Sequence, residues 1–350
     1  MGSREVVTEK KEWFEGIQSL RAILCILVIL SHSGSFFEVD GVWGACAVEV
    51  FFVLSGFLGA SGYRRKYSVW KEGITAFWKK YLEFWPLHLI MFAFAVPVEQ
   101  NITVGKMIAN FFMFQSYLGD ARAALSFNWI SWFSSSILIC FLFSPILNRI
   151  QLYLKKKCVF VIVLLFVFQI IWAYLWKDSV GEYGIGYYYV YIFPLIRMID
   201  YFQGILFYSV YNNFIKKNNL LNYDMVESIV IMIFLIMINM VGYVPEVFKI
   251  AVIWLPVSFG LIWIFSTKRG KITKELTNLT FLKKIGLLSF EIYVIHRMVF
   301  VYANFFWGNS LFSWISALIF IVIAADMASS VLGKIKLSWK KDKSNIDRGL

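Results

Sequence analysis

Arg21 and His32 are the residues of this sequence whose types and spacing point most directly to chemistry. They lie eleven positions apart in QSLRAILCILVILSHSGSFF, the largely apolar twenty-residue run from Gln18 to Phe37. Eleven residues is close to three turns, so on one helix the two side chains share a face, about 16 Å apart along the axis. An imidazole titrates near neutral pH and can take a proton from an attacking hydroxyl. A guanidinium can hold an anionic ligand or neutralise charge that develops in a transition state. Glu49, in VEVFFVLSGFL, sits at a depth close to that of His32 in the next apolar run. A carboxylate there suits the orientation of an imidazole and the support of its protonated form. The plainer alternative for His32 is a neutral ring satisfied by the hydroxyl of Ser31 or Ser35.

The elements that must position these groups follow from composition. Of 350 residues, 59% are hydrophobic and 16% charged, and the mean hydropathy is +0.67. A soluble domain carries nearer a quarter charged residues, so the fold class expected is all-α, a polytopic integral membrane protein. Ten spans are placed near 17–37, 43–61, 82–98, 130–149, 159–176, 187–210, 228–244, 248–266, 285–305 and 311–331. The stretch 105–118 is too short to span and reads as interfacial or re-entrant. With the loops alternated from a cytoplasmic N-terminus, 27 of the 34 Lys and Arg fall inside and four outside, the rest being Arg21, Arg197 and Arg297 within spans. Positive charge is retained on the cytoplasmic side during insertion, so both termini are expected there. The net charge of +12 is then a product of topology, and no nucleic-acid partner is needed to explain it. The outer loops carry Glu38, Asp40, Asp120, Asp178 and Glu182, a mildly acidic mouth. Residues 1–16 read as a cytoplasmic tail, 17–331 as one transmembrane domain and 332–350 as a basic cytoplasmic tail, with no cleavable signal. Cys25, Cys46, Cys140 and Cys158 have neither a disulfide nor a zinc spacing, and no metal is expected.

Other polar residues within spans admit two readings each. Arg197 and Asp200, three apart on one helix face, suit a pair that fixes packing. His296 either meets the first span in the core or bonds a neighbouring helix. His88 opens the third span, where an interfacial role is expected. Trp43, Trp129, Trp132 and Tyr187 to Tyr191 suit an aromatic belt, with stacking on a sugar ring as the alternative. Ser55 and Gly56 suit close helix packing, and no strand–turn–helix context supports a serine nucleophile.

The segments IQSLRAILCILVILSH, GACAVEVFFVLSGFL, FNWISWFSSSILICFLFSPIL, YIFPLIRMIDYFQGILF and FLKKIGLLSFEIYVIHRMVF together resemble the acyltransferase-3 family of membrane O-acyltransferases. The first carries that family's Arg-(ten residues)-His spacing, and the second places Glu49 where an acidic residue is usual. The resemblance implies transfer of an acyl group, usually acetyl from acetyl-CoA as co-substrate, to a hydroxyl of a carbohydrate or lipid-linked glycan. It implies a bacterial inner membrane as the location, with His32, Glu49 and Arg21 as catalytic residues. Arg64, Arg65, Lys79 and Lys80 would meet the donor, and His296 and Trp129 the acceptor. One departure stands out: a basic triplet R-R-x-x-R often precedes the family's third span, and here FWKKYLEFWP supplies Lys79 and Lys80 but then Glu83. The competing class is a transporter or flippase of a glycan or acyl precursor, which intramembrane charges suit equally. No matched pair of broken spans in two halves supports it.

Overall fold

Backbone polar groups in hydrocarbon must be satisfied within their own segment, and this chain meets that demand with helices. A computed structural model describes residues 14–33, 42–181, 183–217 and 222–346, and every regular element among them is helical. The principal helices are α1 (Glu15–Ser31), α2 (Val42–Ser61), α3 (Val69–Ala95), α4 (Val104–Phe111), α5 (Trp132–Leu154), α6 (Cys158–Leu175) and α7 (Pro194–Val210). They continue with α8 (Tyr223–Met240), α9 (Leu255–Thr267), α10 (Lys271–Asn278), α11 (Thr280–Leu287), α12 (Ser289–Trp307) and α13 (Leu311–Ile346).

Six helical runs among the described residues are long and apolar enough to cross a membrane, or seven when α11 and α12, bent by 76°, count as one. The distance from the ten expected spans has identifiable sources. The spans expected at 130–149 and 159–176 lie in one 47-residue run, Trp129–Leu175. That run folds back on itself around Lys155, where φ is +50°. Ser136 donates to the Ile192 carbonyl and Tyr201 to the Ser144 hydroxyl, so α5 and α7 run the same way. Gln169 donates to Asp200 and Trp172 to the Tyr189 carbonyl, so α6 runs against α7. The eighth expected span is a shorter helix, Val252–Thr267. The first is a helix of 17 residues.

That first helix ends earlier than its apolar pattern suggests. The hydroxyls of Ser31 and Ser33 turn back onto the carbonyls of Val28 and Leu30, at 2.8 and 2.7 Å. Such bonds compete with the helical ladder and favour its end. His32 is consequently the C-cap, with φ −110° and ψ 8°, instead of a residue one turn inside a longer helix. Residues 34–37 of the expected span lie outside the described residues.

The centre of the bundle is α1, α2 and α7, and the periphery is apolar and outward-facing. Leu235 and Ile236 of α8 and Phe320 and Ile323 of α13 are each more than half exposed, as a lipid-facing surface requires. The short α4 leaves Phe111, Phe112 and Phe114 exposed, as an interfacial segment does. It also corrects the expectation for His88, which is 1% exposed and donates through Nε2 to the Asn110 carbonyl at 2.6 Å. His88 therefore fastens α3 to this segment from within.

Gly56 and Gly204 explain how α2 and α7 come so close. A Cβ at Gly56 would fall on the Tyr201 carbonyl, and one at Gly204 on the Val53 carbonyl. Two glycines meeting backbone to backbone are the membrane form of small-residue packing. Leucine at Gly204 should therefore lower the melting temperature of the detergent-purified protein, overpacking costing about 1–3 kcal/mol. Alanine at Gly242, which has nothing within 4 Å of its would-be Cβ, should leave it unchanged. An unaltered melting curve for Gly204→Leu would contradict the crossing.

Candidate active site

At the end of α1, His32 meets α12. Its Nδ1 lies 3.1 Å from Nε2 of His296. The other ring nitrogen of His296, Nδ1, faces the Tyr293 and Ile292 carbonyls at 2.7 and 3.3 Å. Carbonyl oxygens only accept, so in the neutral ring His296 Nδ1 carries the proton. His296 Nε2 then accepts, and His32 Nδ1 donates to it. These hydrogen-bond partners assign the tautomer, and they leave the free lone pair on His32 Nε2.

Three cavities surround this pair. The first, about 270 Å³, is lined by His32, Trp129, Trp132, Tyr187, Tyr191 and Tyr293. The second, about 340 Å³, has His32 on one wall and Arg297, Asn304, Ser310 and Ser313 on the others. The third, about 480 Å³, contains Gln18, Arg21, Lys80, Glu83, Glu291 and, again, Tyr293. Arg21 and His32 thus open into different cavities that meet at one tyrosine. The Arg21 cavity lies toward the basic end of the bundle, where Lys268 pairs with Glu15 at 2.7 Å and Lys284 with Asp326 at 3.1 Å.

The segment just before α5 is pinned to α12 by two buried hydrogen bonds. Asn128 Nδ2 donates to the Val294 carbonyl at 3.0 Å, and the Tyr293 hydroxyl donates to the Ile130 carbonyl at 2.8 Å. Trp129, held between them, has its ring centre 6.3 Å from that of His32 and 4.2 Å from the Arg297 guanidinium carbon. Trp129, Trp132, Tyr187 and Tyr191 therefore line a cavity, a correction to the belt expectation.

Glu49 is placed elsewhere. It is fully buried, its electrostatic neighbours are Arg197 and Asp200, and it does not line any of the three cavities described above. The orienting role expected of it beside His32 is filled by His296. Arg197 and Asp200 form the expected pair at 3.0 Å, and Gln169 and Gln203 extend it into a buried polar chain. Of the four basic residues expected at the donor, Lys80 lines the Arg21 cavity and pairs with Glu83 at 3.0 Å. Arg64, Arg65 and Lys79 are exposed and lie outside its lining. The Ser55 hydroxyl bonds the Phe51 carbonyl at 2.7 Å, as a packing residue does. Asp120 caps a helical turn through the Ala123 amide, whereas Glu38, Asp40 and Glu182 lie outside the described residues. Tyr293 and Arg297 were missed by sequence reasoning. Their positions three before and one after His296 were the available signal.

Comparisons with known proteins identify the family. A family model described as an acyltransferase domain matches residues 14–329. Acyltransferase MdmB of Streptomyces mycarofaciens is 30% identical over 117 residues, which is 31% of this chain and 29% of that protein. The match thus spans under a third of the relative's length. No solved structure gives a significant match.

The geometry makes a direct chemical prediction. Diethyl pyrocarbonate attacks accessible, unprotonated imidazole nitrogen, so peptide mapping by mass spectrometry should find His32 modified first. His88 and His296, at 1% and 0% exposure, should stay protected in folded protein. Modification of His296 ahead of His32 would contradict the assigned pair.

Proposed function

This chain belongs to the acyltransferase-3 family, and on that premise we propose that it is an integral-membrane O-acyltransferase. The acyl group, acetyl in the reading we favour, comes from acyl-CoA on the cytoplasmic side and goes to a hydroxyl of a surface or lipid-linked carbohydrate. The observation that carries the proposal is the pair of cavities, one with Arg21 and one with His32, meeting at Tyr293. A thioester approaching from one and a hydroxyl from the other come together beside a histidine with a free lone pair.

The steps follow from the residues present. The acceptor hydroxyl gives its proton to His32 Nε2 as its oxygen attacks the thioester carbonyl. The protonated His32 keeps its Nδ1 bond to His296, whose Nδ1 stays anchored on the Tyr293 carbonyl. Carbon–oxygen bond formation is followed by carbon–sulfur cleavage, and the protonated His32 gives up its proton to the departing CoA thiolate, which restores the neutral ring and balances charge and atoms. Arg21 and Lys80 offer positive charge to the donor's phosphates, about three helical turns from His32. With Glu83 holding Lys80, the donor site is less basic than the family's triplet makes it. The basic loops support the ten-span arrangement with both termini in the cytoplasm, and the family resemblance is what points to a bacterial inner membrane.

The test is acceptor-dependent CoA release from acetyl-CoA by purified protein, with a mixed polysaccharide extract as acceptor. His32→Ala should abolish release while leaving membrane insertion and the melting temperature intact. His296→Ala should lower kcat by about 10²–10⁴-fold, the range of general acid–base assistance, and displace the pH profile. Arg21→Gln should raise KM for acetyl-CoA. Undiminished release by His32→Ala would overturn the assignment of the base. Accumulation of substrate in vesicles without CoA release would favour a carrier.

A further inference from the structure

We propose that Arg297 and the cavity it shares with His32 hold an oxyanion on the acceptor, a phosphoryl or carboxylate group borne by the saccharide. The word acceptor rests on the acyl-transfer reading; the anion site does not.

The three arginines set within the apolar segments are provided for unequally. Arg197 pairs with Asp200. Arg21 shares its cavity with Glu83 and Glu291 and donates to Gln18 at 3.5 Å. Arg297 has no carboxylate within ion-pair distance among the described residues, and the lining of its cavity contains no acidic side chain. Its neighbour is the Trp129 ring, 4.2 Å away. Stacking occupies the face of a guanidinium and leaves its edge, the fork of N–H donors, free for a planar or tetrahedral oxyanion. A cation partly removed from water with no counter-ion is costly in an apolar protein, and a ligand that supplies the missing charge recovers that cost.

The rest of the wall has matching chemistry. Asn304, Ser310 and Ser313 present an amide and hydroxyls, groups that donate to oxyanions without adding charge. The aromatic cavity on the other side of His32 offers ring faces suited to a sugar and no unpaired cation, its one carboxylate, Glu246, being paired with Lys249 at 2.7 Å. An acceptor lying across His32 therefore has one orientation: ring against Trp129 and Tyr187, oxyanion toward Arg297. That choice fixes which hydroxyl reaches Nε2.

The experiment measures binding to the full-length purified protein without acyl donor, by titration calorimetry and by shift of melting temperature. The probes are glucose 1-phosphate, glucuronate and glucose, applied to wild type, Arg297→Gln, Arg297→Lys and His32→Ala. At least one anionic sugar should bind wild type about tenfold tighter than glucose, as a charge-assisted contact provides. The preference should vanish in Arg297→Gln, persist in part in Arg297→Lys and survive in His32→Ala. Equal binding of all three sugars, or an unchanged preference in Arg297→Gln, overturns the site. Displacement of the probe by nanodiscs of phosphatidylglycerol, but not of phosphatidylcholine, assigns the site to a lipid headgroup and overturns the acceptor role. A protein that shows the preference yet releases no CoA keeps the anion site and refutes the transfer reading, so the two failures are distinguishable.

Discussion

The hydrogen bond between His32 and His296 is the contact on which the site depends. It joins the end of the first helix to the middle of the twelfth, across nearly the whole sequence. Its direction is set by backbone, because His296 is anchored to two carbonyls of its own helix. The same helix supplies Tyr293, which pins the segment carrying Trp129, and Arg297, which stacks on it. One helix thereby fixes the tautomer of His32, a wall shared by two cavities and the cation beside His32 in its polar cavity.

Around this site the bundle solves a different problem, the burial of charge. Arg197, Asp200, Gln169 and Gln203 form a continuous chain between α6 and α7, with Glu49 of α2 close by. Removing one member of such a pair leaves an uncompensated charge, typically at a cost of about 3–5 kcal/mol. The chain lies beside the glycine crossing of α2 and α7, so a close backbone approach and a buried polar network occur together. We read that region as scaffold and the α1–α12 junction as site.

Much of this was legible in the sequence, for local reasons. The register of Arg21 and His32 depends on helical periodicity alone, and the two do lie along one helix and its cap. The Arg197–Asp200 pair is likewise local, at three residues' separation. What failed required knowledge of which way a helix faces. Glu49 matches His32 in depth, but its side chain meets α7. Tyr187 and Tyr191 have the composition of a membrane interface, and composition does not separate an outer rim from the lining of a cavity. Counting spans by apolar length cannot register the reversal at Lys155 or the early stop at Ser31, both of which are made by single residues.

Tyr293 has one further physical consequence. It lines both the Arg21 cavity and the aromatic cavity of His32, so the two meet at its side chain. In a bilayer, voltage falls over the low-dielectric part of the path, and one elementary charge crossing 100 mV changes in energy by about 2.3 kcal/mol. Cavities that enter from both ends concentrate that fall on the part of the path between them. In the acyl transfer proposed above, the proton taken from the hydroxyl and the negative charge that ends on the thiolate would cross that part of the path in the same direction. The two displacements cancel, so the transfer would move no net charge, and membrane voltage would not set its direction.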